Sequence, residues 1–312
     1  MSKRLSYILP AVFGAFLLTG CGESAQHSDR EYVTITDNSG SVEVIKEPAN
    51  LVVLDTSSLD LLTLFDYDLA GVPQTGARYP AFMQDYSSSA YFNAGGFFEP
   101  DFERINAAQP ELIITGGRAL DAATELRRIA PTIDLGLQFG DVVKGIERQL
   151  AAVGEITQQQ QRAEDLNREF NDRLKAVRAQ GEQAGNAMVV MLVGGRMSAY
   201  GTGSRFGFIY DELGFEPALD LENRGTHGNP MSFELLLRTD PDWIFVLSRD
   251  QAIGTDGAQS AQQVMNNELV AQTSASQNNR IVYLDSSAIY IAGGYNAYME
   301  LMDQVEAAIQ AH

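Results

Sequence analysis

Residues 102–118 read FERINAAQPELIITGGR, and residues 233–249 read FELLLRTDPDWIFVLSR. At an offset of 131 positions, from Phe102 to Phe233, both stretches share an opening Phe-Glu, a central Pro, an apolar run and a final Arg. Each pattern predicts a short helix ended by the Pro, then a strand buried on both faces, then an Arg just past that strand. A repeat at one constant offset predicts two similar α/β units, one in each half of the chain.

The segments before the first copy fit the same α/β pattern. Residues 32–35 and 42–45 alternate apolar and polar positions around Asn38-Ser39-Gly40, which predicts a β-hairpin. Residues 51–54 are all apolar, as in a strand that is buried on both faces.

A long helix is predicted between the two copies, over residues 157–182. Thr157 and Gln160 have the spacing of a capping box, with Thr157 at the N-cap. Apolar residues then recur every three or four positions, at Ala163, Leu166, Phe170, Leu174 and Val177. The predicted architecture is therefore α/β, with an N-terminal lobe over 32–156, this connecting helix, and a C-terminal lobe over 183–312.

The N-terminus carries an export signal rather than part of the fold. Lys3 and Arg4 precede a fourteen-residue apolar run, which is too short for a membrane span of about 20 residues and typical of a signal peptide. The run ends at Leu18-Thr19-Gly20-Cys21, which resembles a bacterial lipobox. This predicts a signal peptide over 1–20, lipidation of Cys21, and a flexible tether over 21–31.

The composition excludes several kinds of function. The chain has 22 Lys and Arg against 41 Asp and Glu, a formal net charge of −19, so binding to a nucleic-acid backbone is excluded. Its single Cys cannot form an internal disulfide, a Cys₄ zinc site or an iron–sulfur cluster. Removing Lys3 and Arg4 with the signal leaves 20 basic against 41 acidic residues, a net charge of −21.

Several segments resemble one family of transport proteins. The chain resembles the periplasmic substrate-binding proteins of ABC importers for iron siderophores, haem and cobalamin, on the motifs FFEPDFERI (97–105), PELII (110–114), PDWIFV (241–246) and VYLD (282–285). Within that group it is most similar to lipoprotein receptors for ferric catecholate siderophores, on the segments 117–118, 203–210, 226–228, 248–249 and 290–293. The resemblance implies two Rossmann-like lobes, no catalysis, no intrinsic cofactor and a monomer in the periplasm.

Three arginines are candidates for binding an anionic ligand. The repeat places Arg118 and Arg249 beyond the carboxyl ends of equivalent strands, where ligands bind in open α/β sheets. Arg205 follows another apolar stretch, and the resemblance implies that all three bind the siderophore. A ferric catecholate is anionic and presents flat pairs of oxygens, which match the guanidinium fork.

His227 and Tyr290 are candidate iron ligands. His227 lies in a loop rich in turn-forming residues, and Tyr290 lies in a predicted short loop before Ala292-Gly293-Gly294. The resemblance implies that both coordinate Fe(III) when a bis-catecholate leaves two of its six positions open, whereas a hexadentate tris-catecholate leaves none. Tyr295 is an alternative to Tyr290, and the choice rests on the match to Tyr-Ile-Ala-Gly at 290–293.

Two glutamates are candidates for docking onto the permease. Glu103 and Glu234 are related by the same offset and open equivalent helices. The resemblance implies that each lobe presents one Glu to an Arg of the permease, although the helix dipole alone also favours a Glu at this position. Aromatic residues that could contact catechol rings, or could belong to the core, are Tyr91, Phe92, Phe97, Phe98 and Phe206.

Other functions stay open at the sequence level. Haem or cobalamin capture on the same fold is one alternative, with His227 or Tyr290 as an axial ligand of haem. An envelope hydrolase that uses Ser204 and His227 is an alternative of another class, but the chain lacks a Gly-x-Ser-x-Gly elbow. Because Trp243 is the only Trp and precedes Arg249 on one predicted strand, its emission is expected to report ligand binding locally. The lipid anchor is expected in the inner membrane rather than the outer, and the siderophore itself stays unspecified.

Overall fold

A β-hairpin begins the folded part of the chain. The structure, a computed structural model, describes residues 30–222 and 226–312, so the predicted signal peptide and Cys21 lie outside the described residues. Strands β1 (Tyr32–Asp37) and β2 (Gly40–Ile45) pair antiparallel, and Asp37 accepts a 2.7 Å hydrogen bond from the backbone N–H of Ser39 in the turn. The predicted hairpin is confirmed.

The N-terminal half contains a five-stranded parallel sheet. Its strand order is β5-β4-β3-β6-β7, and its strands are β3 (Val52–Val53), β4 (Gly71–Val72), β5 (Phe92–Asn93), β6 (Ile113–Thr115) and β7 (Thr132–Asp134). Four α-helices accompany it: α1 (Thr56–Leu62), α2 (Phe102–Ala107), α3 (Ala123–Leu126) and α4 (Val142–Ile156). Two 3₁₀-helices complete this half, at Ala81–Ser87 and Gly117–Ala122.

The predicted connecting helix is confirmed, but its predicted capping box is wrong. Helix α5 (Gln160–Ala184) has 25 residues, which corresponds to a length of about 37 Å, and its five predicted apolar positions are buried. Thr157 instead ends α4, where its backbone N–H and its Oγ1 both donate to the carbonyl of Val153, at 2.9 and 2.7 Å. Because its hydroxyl is engaged by the preceding helix, Thr157 cannot cap the next one. Helix α5 therefore begins three residues later than predicted, without a side-chain cap.

The C-terminal half contains a six-stranded mixed sheet. Its main path is β11-β9-β8-β12-β13, with β10 paired to β8, and its strands are β8 (Asn186–Val193), β9 (Arg196–Tyr200), β10 (Glu216–Pro217), β11 (Asn229–Met231), β12 (Trp243–Ser248) and β13 (Ile281–Tyr283). Strands β8, β10, β12 and β13 run parallel, whereas β9 and β11 pair antiparallel.

Helices again accompany this second sheet. The α-helices are α6 (Phe208–Asp211), α7 (Phe233–Thr239), α8 (Arg249–Ala252), α9 (Ala261–Met265), α10 (Ser274–Gln277) and α11 (Tyr295–Gln310). A 3₁₀-helix covers Val270–Gln272, and a π-helix covers Ala288–Ala292. Among the described residues, no helix combines the length and the apolar character that crossing a bilayer requires.

The two copies of the repeat form equivalent units. Helices α2 and α7 both begin at the Phe of Phe-Glu and lead into the central strands β6 and β12. The residue before each Pro also adopts the same left-handed conformation, with φ of +47° at Gln109 and +48° at Asp240. The α/β prediction is thus confirmed, and residues 31–312 form one compact unit in which α5 packs against α4 and α11.

Candidate functional site

A cavity of about 1010 Å³ lies at the carboxyl ends of strands from both sheets. The N-terminal sheet contributes loops that follow β3, β6 and β7, including Arg118 and Gly136. The C-terminal half contributes Tyr200 at the end of β9 together with Arg205, Arg249 and Tyr290. This position is the one expected for a ligand site in open α/β sheets, and the volume is that of a small-molecule pocket.

The π-helix positions Tyr290 in this cavity. Asp285 fixes its start by accepting hydrogen bonds from the backbone N–H groups of Ser287 and Ala288, at 2.8 and 3.0 Å. Gly293 ends it with φ of +64°, a conformation that favours glycine. The sequence predicted a loop at Tyr290, and that prediction is wrong; π-helical turns are rare and frequently occur at functional sites.

Arg118 and Arg205 converge on the backbone of Tyr290. Arg118, from the 3₁₀-helix after β6, donates through Nη2 to the Tyr290 carbonyl and through Nη1 to the Ile291 carbonyl at 3.3 Å. Arg205, from the turn between β9 and α6, donates through Nη2 to the same Tyr290 carbonyl at 2.8 Å. Both guanidinium groups also lie over the Tyr290 ring, with their central carbons 5.5 and 4.3 Å from its centroid.

Arg249 contacts the phenol of the same tyrosine. It is the first residue of α8, whose N-cap is Ser248 at the end of β12, and its Nε lies 3.2 Å from Tyr290 Oη in hydrogen-bonding geometry. Burial by itself raises the pKa of Tyr290, but this hydrogen bond and the charges of Arg205, Arg249 and Arg118 outweigh burial and lower it. The three arginines therefore favour the phenolate form of Tyr290.

The arginine cluster is positively charged and lacks a paired carboxylate. Burial, followed by the charge of Arg205, lowers the pKa of Arg118 to about 10, and burial also lowers the pKa of Arg205. Asp55 acts on Arg118 through space, but within residues 30–222 and 226–312 none of the three arginines forms an ion pair with a carboxylate. Partly buried charges of one sign without counter-charges are costly unless a ligand supplies them.

His227 lies at the same cavity. Its side chain is exposed and lines the pocket together with Thr226. The Tyr200 hydroxyl donates to the Thr226 carbonyl at 3.1 Å, and Gly228 has φ of +65°, so both neighbours constrain this turn. The structure thus brings all five predicted ligand-binding residues to one cavity.

Comparison with known proteins places the chain in a family. The sequence profile of the family described as "periplasmic binding protein" matches residues 51–288. The chain belongs to this family. It is 31% identical over 303 residues to the petrobactin-binding protein YclQ of Bacillus subtilis (strain 168), with 94% of each chain covered. It is also 27% identical over 285 residues to the ferric-anguibactin-binding protein FatB of Vibrio anguillarum, with 88% of each covered.

A solved structure of similar sequence has the same fold. The periplasmic catecholate-siderophore binding protein VctP from Vibrio cholerae superimposes with a TM-score of 0.84 and 31% sequence identity, over 89% of this chain and 100% of the other.

The alternative tyrosine lies outside the cavity of this periplasmic binding protein. Tyr295 is 2% exposed, packs against Phe170, and donates its hydroxyl to the Leu166 carbonyl at 2.9 Å. It is therefore a core residue that attaches α11 to α5. Burial raises its pKa, so unlike Tyr290 it is held in the neutral phenol form.

The hydroxyl proposed for a hydrolase is also engaged elsewhere. Ser204 is buried and donates its hydroxyl to the Gly201 carbonyl at 2.6 Å, within its own turn. It does not line the cavity, whereas His227 does. This geometry disfavours a Ser204–His227 nucleophile pair.

The remaining predicted residues lie partly at the cavity and partly elsewhere in the molecule. Glu103 and Glu234 are both exposed in the first turns of α2 and α7, as a docking role requires. Of the five aromatic candidates, Phe98 lines the cavity, and Phe97 and Phe206 pack against Arg118 and Arg205. Tyr91 and Phe92 pack against the hydrophobic core.

Trp243 does not line the cavity, although the sequence predicted that its emission would report ligand binding locally. It begins β12, where it packs against Phe215 and Phe245, and its indole N–H donates to the Ala184 carbonyl at 3.0 Å. Arg249 follows the other end of that strand, roughly 20 Å away for six extended residues. Trp243 is thus at the wrong end of the strand to contact a ligand.

Several cavity residues were not predicted from the sequence. Tyr200 and Tyr298 line it beside the arginines, Asp55 and Asp134 line it from the N-terminal sheet, and Leu120 and Phe139 line it as exposed apolar residues. The available signal was position, because Asp55, Leu120 and Phe139 each follow a strand of the parallel sheet, where its carboxyl edge meets the ligand. Within the described residues, no group of three or more His, Cys, Asp or Glu could hold a metal ion.

Proposed function

We propose that this periplasmic binding protein captures a ferric catecholate siderophore and delivers it to the permease of an ABC importer. The observation that carries the proposal is the convergence of Arg118, Arg205 and Arg249 on Tyr290, with no ion pair to a carboxylate in the described part of the chain. The names of its relatives support the ligand class, since they bind petrobactin, ferric anguibactin and catecholate siderophores. Binding and release suffice for this role, so no bond of the ligand is broken.

The arginine cluster suits the charge and the shape of such a ligand. A ferric catecholate carries its negative charge on pairs of oxygens, and a guanidinium fork can donate two parallel hydrogen bonds to such a pair. Each charge-assisted hydrogen bond contributes roughly 1.5–3 kcal/mol. The ligand supplies the partner for guanidinium groups that form no ion pair with a carboxylate among the described residues, which explains why a chain of net charge −19 gathers cations at this one place.

Tyr290 and His227 complete the coordination of iron in this proposal. A phenolate oxygen is a hard donor for Fe(III), and imidazole is a common ligand of iron. The lowered pKa of Tyr290 supports the first role, and the exposure of His227 supports the second. A tetradentate bis-catecholate leaves two positions on the iron for these residues, and the metal arrives as part of the substrate.

The test compares two ligand types in single variants. We expect Tyr290→Phe and His227→Ala each to weaken a ferric bis-catecholate at least tenfold more than a hexadentate ferric tris-catecholate, because only the former leaves positions open on the iron (a factor of ten is ~1.4 kcal/mol). Affinities are measured by equilibrium titration that follows the catecholate-to-iron charge-transfer band. The matched control is Tyr295→Phe, which removes a phenol outside the cavity. Equal losses of affinity for both ligand types would contradict the coordination of iron by these two residues.

The proposed delivery includes attachment to the membrane and recognition of the permease. We propose that Cys21 carries the lipid anchor, with the inner membrane as the expected location, and that the protein acts as a monomer. Cys21→Ser should move the protein from the membrane fraction to the soluble periplasmic fraction. An unchanged membrane fraction would refute the anchor.

Glu103 and Glu234 are proposed to contact the permease. Both carboxylates are exposed on equivalent helices, one per half of the molecule. Glu103→Gln combined with Glu234→Gln should lower iron uptake by cells while leaving the affinity of the isolated protein for the ferric complex unchanged. The control is Glu43→Gln, an exposed carboxyl on the hairpin. Normal uptake in the double variant would contradict the docking role.

A further inference from the structure

Three consecutive loops of the N-terminal sheet each place one large apolar side chain in the cavity. Phe98 follows β5, Leu120 follows β6 and Phe139 follows β7. They are 70%, 43% and 44% exposed, although each lines the pocket. We call these three residues the apolar wall.

No residue in the described part of the chain covers the apolar wall. Five large hydrophobic residues are exposed in the part of the chain that the structure describes, and three of them are in this wall. The other two, Tyr32 and Phe102, lie outside the cavity. Scattered exposed apolar residues are ordinary, but a group of them at one pocket marks a surface that becomes buried on binding.

The anionic part of the ligand does not account for this wall. The guanidinium groups of Arg118 and Arg205 donate to the backbone of residues 290–291, and that of Arg249 contacts Tyr290 Oη, so the positive charge gathers around the Tyr290 segment. An anion that leaves water for a hydrocarbon surface loses its hydration and gains no hydrogen bond in return. The wall therefore requires an apolar part of the ligand, distinct from the oxygens that the arginines bind.

Two aspartates line the cavity from the N-terminal half as well. Asp55 accepts a hydrogen bond from the Ser58 N–H at 2.8 Å, and Asp134 accepts one from the Gly136 N–H at 3.0 Å, so both are held by their own surroundings. The cavity thus has a cationic region around Tyr290, which includes Arg118 of the N-terminal half, and three exposed apolar side chains on the loops after β5, β6 and β7. Its volume of about 1010 Å³ lies at the upper end of the range for small-molecule sites.

We propose that the ligand is amphiphilic: besides the iron-chelating catecholates it carries an apolar substituent, an aromatic ring or an acyl group, which packs against Phe98, Leu120 and Phe139. This inference rests on the proposed capture of a ferric catecholate and adds the class of side group that the site selects. The catecholate oxygens face the arginines, and the substituent covers hydrocarbon that water otherwise contacts. We assign the wall to the same ligand because it lines the same cavity as the arginines.

The test uses two ferric bis-catecholates with identical chelating groups, one bearing a methyl and the other a benzyl substituent on the linker. We expect the wild-type protein to bind the benzyl complex at least about tenfold more tightly than the methyl complex, because the benzyl group buries more apolar surface. In the variant Phe98→Ser/Phe139→Ser this ratio should fall to about one. The control Tyr32→Ser, an exposed aromatic outside the cavity, should keep the wild-type ratio.

The outcomes separate the two proposals. Binding of both complexes with a ratio near one in the wild type overturns the apolar wall and leaves siderophore capture standing. A large ratio that survives in Phe98→Ser/Phe139→Ser also overturns the wall, because another surface would then bind the benzyl group. Binding of neither complex overturns siderophore capture itself. Both replaced side chains are exposed, and Leu120→Ser gives a second variant in which the ratio should also fall.

Discussion

Tyr290 is the residue on which the binding site depends. Its carbonyl accepts hydrogen bonds from Arg118 and Arg205, and its phenol lies within hydrogen-bonding distance of Arg249. These partners are 172, 85 and 41 positions away in the sequence, so no local pattern predicts the contacts. The residue types and, through the family motifs, their positions were predictable from the sequence, whereas the convergence of the three arginines on one tyrosine is visible only in the fold.

The arginines should make Tyr290 unusually acidic. Because the hydrogen bond to Arg249 and the three positive charges outweigh the effect of burial, Tyr290 should ionise at lower pH than buried tyrosines such as Tyr79 and Tyr86, whose pKa values burial raises. Arg249→Gln should raise the pKa of Tyr290, since it removes the largest favourable contribution. The measurement is the ultraviolet absorbance of tyrosinate during a pH titration, with the signal assigned by its loss in Tyr290→Phe.

The control for this titration is Arg173→Gln, which removes a guanidinium that pairs with Asp303 and Glu306; none of these three residues lines the cavity. This change should leave the pKa of Tyr290 unchanged. An unchanged titration in Arg249→Gln would contradict the contact between Arg249 and the phenol.

Among the elements, α5 depends on one glycine for its contact with the C-terminal half. A Cβ on Gly181 would lie 1.9 Å from the Leu213 carbonyl oxygen, which is backbone and cannot rotate away. Alanine is favoured over glycine in helices by about 1 kcal/mol, but the clash should exceed this gain. We expect Gly181→Ala to lower the free energy of unfolding by about 1–3 kcal/mol, as overpacking does, measured by urea denaturation.

The control on the same helix is Lys175→Ala, which truncates an exposed side chain. It should change the free energy of unfolding by no more than about 0.5 kcal/mol. A Gly181→Ala variant that is more stable than the wild type would show that α5 and the Leu213 backbone do not approach this closely.

A buried carboxylate joins α1 to the start of α11. Asp60 accepts hydrogen bonds from the backbone N–H groups of Gly294, Asn296 and Ala297, at 3.1, 2.7 and 3.0 Å. Burial raises its pKa to about 7, although these hydrogen bonds oppose the rise. The folded protein therefore keeps a proton on Asp60 between about pH 4 and pH 7 that the unfolded chain releases.

The pH dependence of stability follows from this difference. Because the folded state binds the extra proton, the contribution of Asp60 to the free energy of unfolding falls as pH rises from about 4 to 7, by at most about 1.4 kcal/mol per pH unit. Asp60→Asn should flatten the curve in this window. The measurement is urea unfolding at several pH values, compared with Asp68→Asn, which removes an exposed carboxyl. Parallel curves for the wild type and Asp60→Asn would argue against the raised pKa.

Element types were more predictable than the details at their ends. The repeat identified α2, β6, α7 and β12 because apolar runs, Pro and Phe-Glu are local signals. The Thr157 capping box failed because its hydroxyl bonds back to Val153, an interaction that the spacing cannot distinguish from a cap. The π-helix at Tyr290 was missed because its start depends on Asp285 and its end on Gly293, and neither residue type is specific for that geometry.

On the scale of the whole molecule, the two sheets and α5 create the cavity, and its chemistry differs between the halves. The C-terminal half supplies Arg205, Arg249, His227 and Tyr290, whereas the N-terminal half supplies Arg118 and the apolar wall. Two residues of the cationic part, Arg118 and Arg249, were predictable because the repeat places an Arg after each equivalent strand, and Arg205 was predictable from the family resemblance. The apolar wall was not, since single apolar residues in loops have no period and only the structure shows that their exposed side chains share one cavity.

The central claim is that this cavity selects a ferric catecholate. The most direct test is titration of the purified protein with a ferric bis-catecholate, the same ligand without iron, and haem, followed in the visible spectrum. We predict saturable one-to-one binding of the ferric complex with a shifted charge-transfer band, loss of that shift in Tyr290→Phe, and no saturable binding of the other two. Saturable haem binding with a Soret band, or a ferric catecholate spectrum that the protein leaves unchanged, would contradict the account.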